Sequence, residues 1–561
     1  MDSQKPKAGP PVPPHLASAG QLQLLQERVR QKYGAFGARE PSAEETDQRV
    51  FQDNFFKPAL RIIGGIALAS AVASVVSHPK FAAPGMWANS FRIDTALAFL
   101  WAPLLYWAMA RQRLGRSLRV YLVLALFIEP FSEVMLRDMG VGDERGYWDT
   151  IMWPAAVAFF GTLKEFAGIP GASVGVFFLV TVYLLYRAVT GKKGPDYTPP
   201  PRVARTALLT FLGGVLALAL FGVVRGGMVE WTFRQTIYLI QLPLVAFLFL
   251  YALRVPDDLA AVGTIYVTAA VARSLLVVWV YFGVCMPQGI TQIHGKPEWC
   301  TNHSDTVLFV TALTILVAHA LEQRKKKIIV RALGLSAIIL IGIVLNNRRL
   351  AFVSMAAAPL VLYLAMKPSK RKRQLTAALA IFVPLLTCYV LIGSEATSTS
   401  PLLKPAKLVV SVLDQKDTSS QSRDIENENL IYTLRQSPFV TKGFGFEYDY
   451  SPSSPPVDLG DQFKNYRLIA HNGVLWLWSV AGLVGFAIVW LVYPLAGTFA
   501  LRGYRNAMTP LERSAALASL GAVVVCVMQI WGDQGFNSYM TLLTFGLAFA
   551  VAARLAARQA T

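Results

Sequence analysis

Apolar runs of nearly membrane-spanning length recur along this chain from Ala59 almost to its last residue. About 20 apolar residues cross a bilayer as a helix, because each residue rises about 1.5 Å and the hydrocarbon core is about 30 Å thick. Lipid offers no hydrogen-bond partners, so each run must satisfy its own backbone. Spans are predicted near 59–77, 94–110, 117–136, 171–188, 206–224, 235–253, 260–283, 304–321, 328–346, 349–366, 375–393, 473–500, 513–531 and 537–555. Composition agrees: 54% of the 561 residues are hydrophobic, only 16% are charged, and the mean hydropathy is +0.43. The reading is an all-α polytopic membrane protein with about 14 transmembrane helices and a large, partly helical periplasmic loop.

The formal net charge of +19 does not imply a nucleic-acid partner, because polytopic proteins concentrate Lys and Arg in cytoplasmic loops. Arg111, Arg113, Arg116 and Arg119 lie between spans two and three, and Lys192, Lys193, Arg202 and Arg205 follow span four. Arg324–Lys327, Lys370–Arg373, and Arg502 with Arg505 follow spans eight, ten and twelve. These loops share a side only if both termini do, and the positive-inside rule makes that side the cytoplasm. Residues 1–56 then form a cytoplasmic, largely disordered tail, with Pro-rich PKAGPPVPP and a helically spaced stretch from Ala19 to Tyr33. No cleavable signal peptide is expected ahead of the first apolar run. Residues 57–393 carry helices 1–11, 394–470 a large periplasmic loop, and 471–561 helices 12–14. Tyr147–Pro170, interrupted by Pro154, Lys164 and Glu165, reads as an interfacial or re-entrant segment.

The shorter outer loop, Gly283–Ser304, carries Cys285, His294, Cys300 and His303. Thiols on the oxidising side of a membrane tend to pair, so a Cys285–Cys300 disulfide is expected and a metal site is not. Cys388 and Cys526 fall inside spans and read as buried apolar residues.

The chemistry concentrates on the same outer side. Arg348 and Arg349 stand together at the start of a span, where two cations oppose the helix macrodipole and repel each other; an anion would relieve both costs. Arg225 and Arg234 flank another outer turn, and Arg423, Arg435 and Arg467 lie in the large loop. A lipid diphosphate is an anion available at that depth, and the guanidinium fork suits it. The loop ends at His471-Asn472, which open the apolar run Gly473–Leu501. Ser479, Gly482 and Gly485 follow at intervals of three, with Gly482 roughly 16 Å deeper than His471. These small residues are expected to admit another helix closely. A neutral histidine at the mouth of that helix suits a general base that aligns and deprotonates an acceptor hydroxyl.

The spacing His-Asn-x9-Gly-x-x-Gly resembles the motif of the O-antigen ligase and O-antigen polymerase superfamily. Ser422-Arg423, Pro438 and Gly443-Phe-Gly445 are similar to its loop pattern. Arg349 or Arg348 fits its upstream arginine, although the usual Ser-Arg-Gly is Asn-Arg-Arg-Leu here, which leaves both open. The resemblance covers about residues 330–500. It implies a metal-independent, inverting glycosyltransferase without a cofactor, acting at the periplasmic face on an undecaprenyl-diphosphate-linked oligosaccharide and a glycan or lipid acceptor. The catalytic candidates are His471, Arg349 and Arg348. The substrate-binding candidates are Arg423, Arg435, Asn472, Arg225 and Arg234. Fourteen spans and a large loop lean toward a polymerase of surface polysaccharide; the alternative is a ligase that moves glycan to lipid A-core or another acceptor. Membrane lipids, a flippase and a chain-length regulator are the implied partners. A flippase or transporter is a more distant reading. It predicts mid-bilayer charges and paired halves, whereas Arg273 is the main such charge here.

Reporter fusions after Ser411 and after Lys370 are expected to report opposite sides of the membrane. The same side for both would overturn the span count.

Overall fold

The computed structural model describes residues 114–128, 175–191, 198–254, 257–285, 300–301, 303–346, 348–395, 406, 418–454 and 467–557. The expected tail 1–56, the spans near 59–77 and 94–110, Tyr147–Pro170, His294 and parts of the 394–470 loop lie outside these residues. The described elements are α1 (Leu114–Phe127), α2 (Val176–Thr190), α3 (Arg202–Val224), α4 (Val229–Ala252), α5 (Asp257–Trp279) with a π-turn Val280–Cys285, α6 (Asp305–Gln323), α7 (Lys326–Asn346), α8 (Arg349–Ala365), α9 (Lys370–Glu395), α10 (Thr418–Gln436), α11 (Gly473–Trp490), α12 (Val492–Asn506), α13 (Pro510–Gly532) and α14 (Tyr539–Ala557). Among the described residues, nine helical stretches are long and apolar enough to cross a membrane. The shorter α1, α2 and α8 occupy three further predicted spans. Only α10 is polar, and it lies in the large loop as expected.

Helix α14 packs against α4, α12 and α13, while α13 also packs against α6 and α8. These helices form the interior: 89% of the apolar window of α14 is buried, against none of that of α9. A helix apolar on all faces is either central or lipid-exposed, and sequence alone does not separate the two. Cys388 illustrates this. It is exposed on α9, not buried as expected, whereas Cys526 is buried in α13.

Two ends of the bundle differ chemically. At one end, Arg554 donates to the carbonyls of Leu250 and Thr198, and Arg513 pairs with buried Glu322 at 2.8 Å. The basic segments Lys325–Lys327 and Lys370–Arg373 lie at the starts of α7 and α9, at this end. The other end gathers the turns α3–α4, α7–α8 and α13–α14 with the starts of α6 and α11. There Asn346 accepts from the backbone N–H groups of Cys300 and Thr301 at 3.1 and 2.9 Å, which fixes the start of α6 against the α7–α8 turn. Cys300 is buried, with its thiol directed at the Leu345 carbonyl; the side chain of Cys285, its expected disulfide partner, lies outside what the structure describes. The position of Cys300 is set by these contacts with α7, a long-range pairing that cysteine spacing does not encode. Arg273, the charge that stood out mid-span, is buried and pairs with buried Asp305 at 2.6 Å. A buried charge of this kind costs several kcal/mol unless paired.

Helix α11 is broken. Gly482 has φ +65° and ψ 175°, a region that only glycine occupies readily. The backbone groups released by the break are satisfied by the large loop. Leu483 N–H donates to Pro438 at 2.9 Å, and Gly443 N–H donates to Val480 at 3.0 Å. The same segment reaches α3 and α4: Phe444 N–H donates to Leu218, and Met228 N–H to the Gly445 carbonyl. Gly443 and Gly445 also have positive φ. A Cβ at Gly482 would lie 2.3 Å from the Phe439 oxygen. The expected role of these small residues is therefore corrected in part. Gly485 does meet a neighbouring helix, at Leu218 of α3, but Gly482 admits an extended loop.

Gly482→Ala is expected to destabilise the protein by about 1–3 kcal/mol from backbone conformation alone, with more from the clash at Phe439. Gly334→Ala, at a helical glycine with open space around its Cβ position, is expected to be neutral or stabilising. Thermal unfolding in detergent compares the two; equal melting temperatures would refute the account of the break.

Candidate functional site

The loop segment in the α11 break fixes what stands above it. Gln235 of α4 accepts from Gly445 N–H at 2.8 Å and donates to the Leu468 carbonyl at 2.6 Å. That carbonyl also accepts from the Trp476 indole N–H at 2.7 Å, and Trp476 stacks parallel to Phe444. Residues 468–472 are thereby held against the mouth of α11. Asn472 caps α11, its side-chain oxygen accepting from Leu475 N–H at 3.1 Å, which satisfies one of the orphan donors of a helix start. Its amide nitrogen donates to Asn427 of α10 at 3.1 Å. Asn472 is thus placed structurally, as a cap and a tie between helices.

His471 precedes the cap and is partly exposed. Its Nδ1 lies 3.1 Å from a carboxylate oxygen of Glu426, and its backbone N–H donates to the same oxygen at 3.1 Å. Its carbonyl accepts from Gln534 N–H in the α13–α14 turn at 2.8 Å. Beside Gln534, Asp533 is 2.8 Å from His303 Nδ1 and 3.7 Å from the Arg423 guanidinium. Arg348 is close enough to act on the charges of both His303 and Asp533. Arg348, Arg423 and His471, three candidates from distant stretches of sequence, are therefore brought to one end of the bundle.

The remaining candidates separate. Arg349 is the first residue of α8, whereas Arg348 is its N-cap, in extended conformation; the electrostatic influence on the cluster comes from Arg348. Arg435 lies in the last turn of α10, about 18 Å along the helix from Arg423, and is exposed. Arg225 caps the C-terminus of α3 over the Phe221 ring. Arg234 pairs with Glu230 at 2.9 Å and stacks over Trp231. Arg467 pairs with Glu447 and lies over Tyr450. These are local engagements that arginine charge in a sequence does not distinguish from ligand binding.

Sequence reasoning missed Glu426 and Asp533, and it considered His303 only as a metal ligand. A usable signal existed: Glu426 follows Arg423 by three residues and so shares its helix face. Asp533 sits in a turn that the span pattern itself assigns to the His471 end.

The electrostatics of the cluster are mutual. Burial, together with Arg348 and Arg423, pushes His303 below its ordinary 6.5, against the opposing influence of Asp533. Burial works against ionisation of Asp533, but His303, Arg423 and Arg348 outweigh it and hold the carboxyl well below the usual carboxylate range. A histidine depressed on folding contributes stability above its unfolded pKa, and the contribution is lost as pH falls toward the folded value. The melting temperature is expected to fall as pH drops below about 6.5, and His303→Gln is expected to make that fall shallower. An unchanged slope in the variant would contradict a depressed His303.

Residues 334–490 match the family model described as O-antigen ligase. The match begins in α7, takes in the Arg348–Arg349 pair, α8, α10 and the inserted loop, and ends with α11. No curated protein matches the chain. With its membrane-spanning helices, the match makes this a bacterial membrane protein of surface polysaccharide synthesis. Over residues 334–490 the chain is similar to the O-antigen ligase family, which supports the ligase/polymerase resemblance of its motifs.

Proposed function

We propose that the protein transfers a glycan from an undecaprenyl-diphosphate carrier to an acceptor hydroxyl at the periplasmic face of the inner membrane. The observation that carries this reading is the convergence of Arg348, Arg423 and His471 at one end of the bundle. In the reaction the acceptor oxygen attacks the anomeric carbon, the bond from that carbon to the diphosphate oxygen breaks, and the lipid diphosphate departs with the electron pair. A single displacement inverts the anomeric configuration. Arg348 and Arg423 stabilise the leaving charge, which they can do with paired hydrogen bonds. His471 accepts the proton of the attacking hydroxyl. Arg423 suits the first role because its 3.7 Å contact with Asp533 is long and its side chain is 41% exposed, so it can turn to an incoming anion. Arg349 is assigned to positioning the start of α8 and not to direct contact.

The acceptor divides the activity in two. Transfer onto another lipid-linked repeat unit makes a polymerase; transfer onto a lipid core makes a ligase. The family match covers the part shared by both.

Purified protein with defined undecaprenyl-diphosphate oligosaccharides tests the reading. A ladder of products identifies a polymerase, single transfer onto a lipid core a ligase, and no transfer to either acceptor would overturn the proposal. His471→Ala is expected to lower single-turnover transfer by about 10²–10⁴-fold while donor binding persists. Arg348→Lys, which keeps the charge but loses the fork, is expected to weaken donor binding. Near-normal transfer by a well-folded His471→Ala protein would remove the base role.

A further inference from the structure

Glu426 stands out as a charged, buried group without a part in the reaction described above. It is 6% exposed, although it comes from the polar helix α10. Two donors of one residue converge on its carboxylate: the His471 backbone N–H at 3.1 Å and the His471 ring Nδ1 at 3.1 and 3.3 Å. An ionised carboxylate only accepts hydrogen bonds. For the ring contact to be a hydrogen bond, the proton must therefore be on Nδ1, and the Nε2 lone pair is left for another partner. The neighbouring Asn427–Asn472 bond at 3.1 Å ties the same turn of α10 to the cap of α11. The carboxylate therefore cannot drift relative to the ring without breaking a second contact.

We infer that Glu426 is the positioning residue for His471: it fixes the ring in the Nδ1–H tautomer, directs Nε2 at the acceptor hydroxyl, and stabilises the imidazolium formed when the proton is taken. The inference rests on the proposed role of His471 as base. The step balances within that reading. The proton moves from the acceptor oxygen to Nε2, the positive charge spreads over the ring, and the Glu426 carboxylate faces it through Nδ1–H. Glu426 itself gains no proton. The orientation of a catalytic histidine by a buried carboxylate is a general device, and its loss leaves binding intact while the chemical step slows. The same three features distinguish a positioning carboxylate from a surface ion pair here: burial, bidentate use, and a tie that fixes its backbone.

The test is a double-mutant cycle on the full-length protein in detergent or nanodiscs, with single-turnover transfer, donor-lipid binding and thermal stability read for each variant. Glu426→Gln keeps the size and one acceptor oxygen but not the charge. It is expected to lower single-turnover transfer about 10–10²-fold, with donor binding and melting temperature near wild type. In a His471→Ala background the same substitution is expected to change transfer less than twofold, because its effect passes through the ring. A residue that merely supports the loop would lower transfer by the same factor in both backgrounds, and that outcome overturns the inference. So does wild-type transfer by Glu426→Gln. If Glu426→Gln unfolds, Glu426→Asp, which retains charge at a shorter reach, takes its place in the cycle; unfolding of both assigns Glu426 to stability alone and also overturns the inference. Failure of the underlying reading looks different: His471→Ala would then transfer normally, or the wild-type protein would not transfer at all.

Discussion

The backbone hydrogen bonds at the break in α11 are the constraint on which the site depends. Gly482 lies about 15 Å along the helix from Asn472, at a depth where lipid cannot satisfy a released N–H or C=O. Each orphaned group there costs free energy comparable to a lost hydrogen bond. The large loop supplies the partners, through Pro438 and Gly443. Once that segment is seated, Gly443-Phe-Gly445 must thread between α3 and α4, where Gly222 leaves no room for a side chain against Phe444. The helix that precedes the segment, α10, is then held over the mouth of α11. The apposition of Glu426 to His471 thus follows from an accounting of backbone hydrogen bonds, not from attraction between the two side chains.

The cluster above the break brings together charges of both signs. Asp533 faces His303, Arg423 and Arg348, so two guanidiniums share one carboxylate. The protein supplies part of the counter-charge that the adjacent arginines seemed to need from a ligand. On the proposed reading an incoming diphosphate competes with Asp533 for these guanidiniums, and Asp533 keeps them oriented when no donor is bound.

Much of the fold was legible because membrane solvation imposes one rule on every span. Twelve of the predicted spans correspond to described helices, since length and apolarity decide existence. Which helices are central was not legible: the membrane-length window of α9 is more apolar than that of α14, yet α9 is bare and α14 buried. The motif spacing located His471, Arg423 and the Arg348–Arg349 pair. It did not reveal why Gly482 is glycine, because a small residue within an apolar run reads equally as a helix contact or as a break. Glu426 was hidden for a related reason. In a loop with mixed charges, one buried carboxylate resembles many solvated ones until the tertiary contact is known.

The bundle carries other arginine–carboxylate contacts, and their contrast with the site is instructive. Arg273–Asp305 is buried on both sides, and Glu322, the partner of Arg513, is likewise buried. Arg554 is spent on backbone carbonyls of the α3 and α4 ends. In each case the cation meets a group already committed to the fold, and exchange with a ligand would strand a charge or a carbonyl in a low-dielectric interior. Arg423 differs in both respects: its partner is shared with other cations, and its guanidinium is open to solvent. Loss of its 3.7 Å contact therefore strands nothing. That difference in cost, more than any difference in residue type, separates the arginines that build this protein from those available for its chemistry.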